Sequence, residues 1–181
     1  GGEEMIIKGI ADGRTGRLLG AQIVGKEGVD KRIDVFATAI TFRAKVEDLF
    51  HLDLAYAPPF STTKDPVMYT GMILDNVINR NRPLITASKL DELKDSRAKI
   101  KVIDVRATAQ YQVEHIENAE NITQENLRKI AGDLDPEIPC IVYCNKGITG
   151  NAAQNILLNR GIKTVFNLSG GFKQYKTEQE E

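Results

Sequence analysis

Apolar residues in the first half of the chain follow two different spacings. Apolar runs at residues 5–10 and 18–24, separated by a glycine-containing stretch, predict the two strands of a β-hairpin. From residue 29 to residue 40, apolar side chains recur every three or four positions, which predicts an amphipathic helix. Residues 46–52 favour a short helix, and residues 66–78 favour a longer one with a proline in its first turn. This half is therefore predicted to be a small α+β unit.

The second half alternates short apolar runs with helical patterns. Strands are predicted at residues 85–86, 100–104, 140–143 and 164–168, and helices at residues 88–93, 110–115, 124–130 and 150–160. This alternation is typical of an α/β domain with a mainly parallel sheet. A break at residues 79–83, which contains charged residues and a proline, places the domain boundary between residues 81 and 82. The predicted domains are therefore 1–81 and 82–181.

Composition and charge exclude several classes of function. The chain has 181 residues, 41% of them apolar and 27% charged, and a formal net charge of −1. Neither nucleic acid nor an anionic membrane surface is therefore an expected partner. No apolar run approaches the roughly 18 residues of a membrane span, and no secretory pattern opens the chain, so a cytoplasmic protein is expected. Two cysteines are too few for a disulfide framework, and no metal site is predicted.

Candidate chemistry lies where the strand at residues 140–143 ends. Cys144 follows this strand, and the predicted loop before the next helix consists of Asn145, Lys146, Gly147, Ile148 and Thr149. A loop whose N–H groups surround one point in front of a helix binds anions, and a cysteine sulfur at that point is stabilised as the nucleophilic thiolate. The alternative is a half-buried structural cysteine beside an ordinary turn. Cys140, inside the strand, is predicted to be a core residue.

Four stretches of the first half resemble a known family. Residues 15–25, 30–34, 53–61 and 64–66 resemble the C-terminal dimerisation domain of pyridine-nucleotide disulfide oxidoreductases, in the coenzyme A disulfide reductase and NADH oxidase branch. The resemblance covers about residues 3–80. It implies a homodimer formed through this half, within an enzyme that binds FAD, NAD(P)H and coenzyme A. The FAD and NAD domains and the opening strand of the dimerisation domain are missing, so we expect a C-terminal fragment with a truncated dimerisation domain, no cofactor and no reductase activity of its own.

Tyr56 lies in an Ala-Tyr-Ala-Pro-Pro motif at residues 55–59. In the coenzyme A disulfide reductase branch, the tyrosine of this motif reaches the active site of the partner subunit, and the resemblance implies the same role for Tyr56. The alternative is a tyrosine packed in the interface with its hydroxyl bonded locally. Both interpretations stay open at this point.

Five motifs of the second half follow one another as in the rhodanese fold. They lie at residues 102–106, 111–116, 119–122, 144–149 and 167–172. The resemblance covers about residues 83–176 and implies a rhodanese-like domain with sulfurtransferase activity. In such enzymes the loop cysteine, here Cys144, takes a sulfane sulfur from a donor as a persulfide and passes it to a thiol acceptor. A thiolate held among backbone donors suits this covalent chemistry.

The residues around Cys144 are also compared with the rhodanese family. The loop is similar to the Cys-Arg-Lys-Gly-Val-Thr loop of thiosulfate sulfurtransferases, with Asn145 in place of the arginine. Lys146 matches the lysine of that loop and is a candidate partner for an anionic donor. Asp104 and Arg106 are predicted to support the loop as an ion pair or a cap. His115 is predicted to be a hydrogen-bonded structural residue.

Two other functions compete with sulfur transfer. A cysteine-based phosphatase shares the loop geometry, but it needs an arginine six residues after the cysteine to clamp phosphate, and Gly150 stands there. A non-catalytic dimerisation and anion-binding module is the second alternative, and the intact Cys144 argues against it. The sequence therefore favours rhodanese-type sulfur transfer through a Cys144 persulfide, as part of a flavin-dependent coenzyme A-disulfide, persulfide or polysulfide reductase.

Overall fold

The structure is a computed structural model that describes residues 3–57 and 63–180. The chain divides into two compact units, Gly1–Asn81 and Arg82–Glu181. Each unit has its own hydrophobic core. None of the described helices is long and apolar enough to cross a membrane.

The N-terminal unit combines a β-hairpin with three helices. Its elements are β1 (Met5–Ala11), β2 (Leu18–Gly25), α1 (Val29–Thr41), α2 (Val46–Phe50) and α3 (Pro66–Asn79). The two strands pair antiparallel, and the core is formed by Leu18, Phe36, Leu49 and Val67. Asp65 caps α3 by accepting the Val67 N–H at 3.0 Å. Arg32 of α1 pairs with the same carboxylate, so the two long helices are tied together.

The C-terminal unit contains a five-stranded parallel sheet. Its elements are β3 (Leu84–Ile85), α4 (Ala87–Asp95), β4 (Lys101–Asp104), α5 (Thr108–Val113), β5 (Glu120–Asn121), α6 (Gln124–Ile130), β6 (Cys140–Tyr143), α7 (Ile148–Asn159), β7 (Val165–Leu168) and α8 (Gly171–Gln179). The strand order is β3-β7-β6-β4-β5, and all four pairings are parallel. The predicted α/β fold class with a mainly parallel sheet is therefore confirmed.

Helices cover both faces of this sheet, because successive side chains of a strand point to opposite faces. Cys140 and Val142 of β6 belong to a core cluster with side chains of α6 and α7. Ile141 and Tyr143 belong to a second cluster with side chains of α4 and α8. All four side chains of β6 are buried, so this strand is the centre of the unit.

Four features differ from the prediction. The helix predicted at residues 110–115 spans Thr108–Val113 instead, and Glu114 is extended. The predicted start of α7 at about residue 150 is two residues late, since the helix begins at Ile148. The strand β5 has only two residues and leaves no recognisable pattern in the sequence. The helix α8 was not predicted because its sequence is mostly polar, and of its residues only Gly171 and Phe172 are buried.

Candidate active site

Cys144 lies at the carboxyl edge of the sheet, directly after β6. In the sheet, β6 runs between β4 and β7, and the last residues of β4 and β6, Asp104 and Tyr143, are register partners. Ligands of parallel α/β sheets bind at this edge. The strand order therefore brings the residues that follow β4 and β7 next to the cysteine.

The thiol of Cys144 is enclosed by its own loop. The residue is 6% exposed, and its Sγ accepts the backbone N–H of Gly147 at 3.2 Å. Gly147 has a φ of 91° and caps the N-terminus of α7, a backbone conformation that glycine adopts without strain. The N–H donor and the positive end of the helix dipole both favour an anionic sulfur. The geometry therefore suits a thiolate nucleophile.

The loop itself is shorter than the sequence predicts. Because α7 begins at Ile148, Ile148 and Thr149 form its first turn, and only Asn145, Lys146 and Gly147 separate the strand from the helix. The side chains of Asn145, Lys146, Ile148 and Thr149 are all exposed. The contact with the sulfur comes from the Gly147 backbone.

Residues 167–173, here called the outer segment, bind the loop from outside. The N–H of Phe172 donates to the Cys144 carbonyl at 2.7 Å, and the N–H of Lys173 donates to the Asn145 carbonyl at 3.1 Å. These two donors belong to the first turn of α8, whose N–H groups have no partner within the helix. The start of α8 therefore fixes the orientation of the Cys144 and Asn145 carbonyls.

The Asn167 side chain of the outer segment binds the carbonyl of Gly147. The Nδ2 of Asn167 donates to the Gly147 carbonyl at 2.9 Å. The same carbonyl accepts the N–H of Asn151 at 2.9 Å, which is the first hydrogen bond of α7. Gly147 is thus fixed from two sides at the point where the loop turns into the helix.

Gly171 allows α8 to approach the loop this closely. Its φ is 66°, and a β-carbon added there would lie 2.4 Å from the Cys144 carbonyl oxygen and 2.7 Å from the Asn145 carbonyl carbon. Contacts of this length with backbone atoms do not occur between real side chains and their neighbours. The position therefore requires glycine for both its backbone conformation and its contact with the loop.

Gly171→Ala is expected to destabilise the C-terminal unit and to displace the loop. An alanine in the left-handed region costs about 1–2 kcal/mol, and the clash with the loop carbonyls adds to this. Gly161→Ala is the matched control, since Gly161 also has a positive φ of 96°, but an added β-carbon would meet no heavy atom within 4 Å. Urea unfolding should show the larger loss for Gly171→Ala, and only this variant should change the iodoacetamide labelling rate of Cys144. Equal effects in both variants would contradict the contact with the loop.

Asp104 and Arg106 form a buried ion pair near the loop. Arg106 donates to both carboxylate oxygens, with a shortest contact of 2.7 Å, and Asp104 is 0% exposed. Burial is the largest single influence and opposes the charge on Arg106, but the hydrogen bonds to Asp104 and its negative charge, together with Tyr143, outweigh it and raise the pKa of the guanidinium. Arg106 also donates to the Glu114 carbonyl at 2.7 Å and lies 4.0 Å from the centroid of the Phe172 ring. The pair therefore connects the end of β4 with the outer segment.

A groove of about 560 Å³ opens beside the loop. It is lined by Arg106, Asn145, Lys146, Phe172, Lys173, Lys176, Thr177 and Glu180. Basic side chains come both from the loop and from α8, and Lys176 of the latter pairs with Glu114 at 2.7 Å. This excess of basic groups in a cleft attracts anionic ligands. The groove extends the site well beyond the volume that one sulfur atom requires.

His115 takes part in a local structural contact. Its Nδ1 lies 2.9 Å from the Tyr111 carbonyl oxygen, and the two rings stack with centroids 3.9 Å apart. The Tyr111 hydroxyl in turn donates to the Ala119 carbonyl at 2.8 Å. These contacts give His115 a structural role, and neither of them involves Cys144.

Cys140 is a core residue, as its place inside the strand predicts. It is 1% exposed, and burial raises the pKa of its thiol to about 11, while the charge of Lys101 acts in the opposite direction. Both cysteines are free. They therefore differ in environment, although they lie only four positions apart.

Iodoacetamide is expected to label Cys144 and to spare Cys140 in the folded protein. Only the thiolate reacts, and because the pKa of Cys140 is raised to about 11, its thiolate becomes abundant only as the pH approaches that value. At mildly alkaline pH the label should reach Cys140 after unfolding in urea and not before. Mass spectrometry of a tryptic digest measures both sites. Label on Cys140 in the folded protein would contradict this prediction, because it would show that iodoacetamide reaches the core at this residue.

Tyr56 lies in the N-terminal unit and is half exposed. The remainder of its motif, Pro58 and Pro59, lies outside the described residues, as does Phe60. Half exposure is compatible with a role toward a partner subunit and with packing in an interface. Both interpretations of this residue therefore stay predictions.

The glycine pair at positions 170 and 171 predicts a close turn of the backbone beside the loop, and Gly171 does lie against it. What sequence reasoning misses is the set of hydrogen bonds from the outer segment to the loop. Asn167 and Phe172 were recognised there only as members of a motif, without contacts to the loop. One signal does exist, because Asn167 stands between apolar residues in the β7 run, and a polar side chain buried in a strand needs a hydrogen-bond partner. Nothing in the sequence says that this partner is the carbonyl of Gly147.

Comparison with solved structures relates the whole chain to one architecture. A crystal structure of reduced Bacillus anthracis CoADR-RHD covers 97% of this chain with a TM-score of 0.90 and 34% identity, and this chain covers 31% of that one. The CoA-dependent NAD(P)H sulfur oxidoreductase of Pyrococcus furiosus is 46% identical over 74 residues, which are 41% of this chain and 16% of that protein. The chain therefore spans less than a third of these larger relatives.

Two family models match different parts of the chain, and a shorter relative is also similar to it. The thiosulfate sulfurtransferase GlpE of Coxiella burnetii is 36% identical over 77 residues, 42% of this chain and 72% of that protein. Residues 1–66 match the pyridine nucleotide-disulphide oxidoreductase dimerisation domain, and residues 86–178, just over half of the chain, match the rhodanese-like domain. The chain therefore belongs to the rhodanese-like domain family, with a pyridine nucleotide-disulphide oxidoreductase dimerisation domain in front of it.

Proposed function

We propose that the C-terminal unit transfers sulfane sulfur through a persulfide on Cys144. The observation that carries this proposal is the 3.2 Å contact between the Cys144 Sγ and the Gly147 N–H, in front of α7. A preorganised donor at this distance stabilises both the attacking thiolate and the negative charge of a persulfide. Membership of the rhodanese-like family and the similarity to a thiosulfate sulfurtransferase support the same reaction.

The reaction consists of two exchanges at sulfur and needs no external oxidant or reductant. The Cys144 thiolate attacks the outer sulfur of a donor such as thiosulfate or polysulfide. The Sγ–S bond forms as the S–S bond of the donor breaks, and sulfite or a shorter polysulfide leaves with the bonding electron pair. An acceptor thiolate then attacks the outer sulfur of the persulfide, and Cys144 departs as a thiolate.

The groove beside the loop supports an anionic donor. Lys146 of the loop and Lys173 and Lys176 of α8 line it, and their charges raise the local concentration of anions at low ionic strength. Asn145 stands where thiosulfate sulfurtransferases carry an arginine, so the site has lost one guanidinium that would bind a sulfonate. Persulfides and polysulfides are therefore the donors to compare with thiosulfate.

Intact mass spectrometry tests the proposed reaction directly. The reduced chain is exposed to thiosulfate, polysulfide or coenzyme A persulfide, and one sulfur atom is expected to add to Cys144. A thiol acceptor added afterwards should remove that sulfur and restore the original mass. Cys140→Ala serves as the control and should load in the same way. No sulfur uptake from any of the three donors would refute the proposal.

This unit is further proposed to act within a reductase for coenzyme A disulfides, persulfides or polysulfides. Larger relatives are named coenzyme A disulfide reductase, NAD-dependent persulfide reductase and NAD(P)H coenzyme A polysulfide/persulfide reductase. Such an enzyme uses FAD, NAD(P)H and coenzyme A. The glycines of β2 do not form a dinucleotide-binding βαβ unit, since β2 lies in an antiparallel hairpin. Among the described residues, no group of three or more His, Cys, Asp or Glu is arranged to hold a metal. Reductase activity would therefore require other domains, toward which Tyr56 would act from the partner subunit.

Self-association is proposed to occur through the N-terminal unit. Ile6 and Val24 face each other in the hairpin and are both exposed. Phe42 is 80% exposed and borders an almost entirely apolar groove of about 470 Å³. Exposed apolar groups of this kind mark interaction surfaces, and a symmetric dimer is the commonest way to bury them.

Sedimentation should show that the full chain is a dimer and that residues 82–181 alone are monomeric. The reason is that the exposed hairpin pair Ile6 and Val24 and the apolar groove beside Phe42 all belong to residues 1–81. The comparison uses both proteins at the same molar concentration and ionic strength. A full chain that stays monomeric at high concentration, or a dimer formed by residues 82–181, would contradict the assignment of the interface.

A further inference from the structure

Two buried amide side chains, one on α7 and one on β7, donate hydrogen bonds to different parts of the unit. Gln154 is 0% exposed, and its Nε2 donates to the carbonyls of Pro83 and Val165, each at 2.8 Å. Asn167 is 4% exposed, and its Nδ2 donates to the Gly147 carbonyl. Within the described residues, the side-chain oxygens of both amides have no hydrogen-bond partner. Gln154 therefore serves the core, whereas Asn167 serves the cysteine loop.

The oxygen of Asn167 is accommodated by Gly150 of α7. A β-carbon added at Gly150 would lie 2.2 Å from the Asn167 Oδ1 and 3.6 Å from the Cys144 nitrogen. Any larger residue at this position would push the amide away. The absence of a side chain at Gly150 thus leaves the space in which Asn167 reaches the Gly147 carbonyl.

The hydrogen bonds of the outer segment determine where the loop N–H groups point. In a planar trans peptide the C=O and the next N–H point in opposite directions, and no cis bond occurs among the described residues. The carbonyls of Cys144, Asn145 and Gly147 are all bound by the outer segment. The N–H groups of Asn145, Lys146 and Ile148 therefore face away from that segment. The N–H that contacts the sulfur is that of Gly147, the residue whose own carbonyl is held by Asn167.

We propose that Asn167 is a positioning residue for Cys144, acting through the Gly147 carbonyl to fix Gly147 so that its N–H stays at the sulfur. Of the three donors from the outer segment, those of Phe172 and Lys173 are backbone groups, so Asn167 is the one that a substitution removes cleanly. This proposal assigns a residue role within the proposed sulfur transfer and rests on that function. The effect of Asn167 on the reactivity of the Cys144 thiol can be measured without a sulfur donor.

The test compares Asn167→Ala with the matched control Gln154→Ala. At neutral pH, Asn167→Ala is expected to lower the iodoacetamide labelling rate of Cys144 by about tenfold, the equivalent of one lost hydrogen bond to a charged group. At strongly alkaline pH, where a thiol ionises without assistance, the difference should close. Gln154→Ala loses a buried amide of the same kind and should stay within about twofold of wild type at both pH values.

A second variant covers the case in which Asn167→Ala does not fold. Gly150→Ala displaces the amide by contact while it raises the helix propensity of α7 by about 1 kcal/mol, and it should give the same loss at neutral pH. Wild-type labelling in both variants, or an equal loss in Gln154→Ala, would overturn the positioning role. Sulfur loading is measured in parallel by mass. If wild type labels rapidly but takes up no sulfur, the proposed function fails, while the labelling ratios still decide the role of Asn167.

Discussion

Cys144→Ser is expected to abolish sulfur loading completely while the fold is retained. A serine hydroxyl is not ionised near neutral pH and cannot carry sulfane sulfur as a persulfide, so no partial activity is expected. The Gly147 N–H, which contacts the Cys144 Sγ at 3.2 Å, can donate to the serine oxygen instead, so stability should change little. Intact mass after exposure to polysulfide measures the loss, and circular dichroism checks the fold.

The second cysteine provides the control for this experiment. Cys140→Ala should load sulfur like wild type, although the truncated core side chain is expected to cost about 1 kcal/mol of unfolding free energy. Cys140 cannot substitute for Cys144, because it is buried in the sheet and burial raises its pKa. Persulfide found on Cys140 in a digest of the Cys144→Ser variant would overturn the assignment of the nucleophile.

Arg106→Met is expected to cost about 3–5 kcal/mol of unfolding free energy, the typical price of leaving one partner of a buried ion pair alone. The change keeps an unbranched side chain against the Phe172 ring, which lies 4.0 Å from the guanidinium, but it leaves the carboxylate of Asp104 with 0% exposure and no cation. Urea denaturation of both variant and wild type gives the difference.

Two further variants test whether the lost stability comes from the unpaired buried charge or simply from the removal of a cation. Asp104→Asn combined with Arg106→Met should regain most of the stability, because no buried charge is left and the asparagine oxygen can still accept the backbone N–H at position 106. Lys176→Met breaks an exposed pair with Glu114 and should change stability little. A double variant as unstable as Arg106→Met alone would show that the ion pair is not the cause.

Local patterns in the sequence were sufficient to find the strand, the cysteine and the general position of the loop. The β6 run is continuously apolar because both of its faces are buried, and the first polar residues after it mark the edge of the sheet. The same pattern predicts the start of α7 two residues late. It counts Ile148 and Thr149 with the loop, whereas the left-handed Gly147 caps the helix directly in front of them.

The remaining part of the site depends on contacts between distant residues. Asn167 reaches Gly147 across a separation of 20 residues, and no periodicity in either stretch encodes that meeting. The groove arises in the same way, since Lys146 and Lys176 come together only when α8 packs beside the loop. Motif order indicated that residues 167–172 belong to the domain, but their hydrogen bonds to the loop required the folded structure.

The position of the outer segment in the chain has a consequence for biosynthesis. During translation, β6 and Cys144 emerge from the ribosome before β7 and α8 do, and a parallel strand cannot pair until its crossover connection is complete. The donors from Asn167, Phe172 and Lys173 therefore reach the loop last. Until then the nascent chain carries a thiol that the outer segment does not yet align, and this thiol is open to oxidation or to mixed disulfides. Docking of α8 is thus the event that completes the nucleophile.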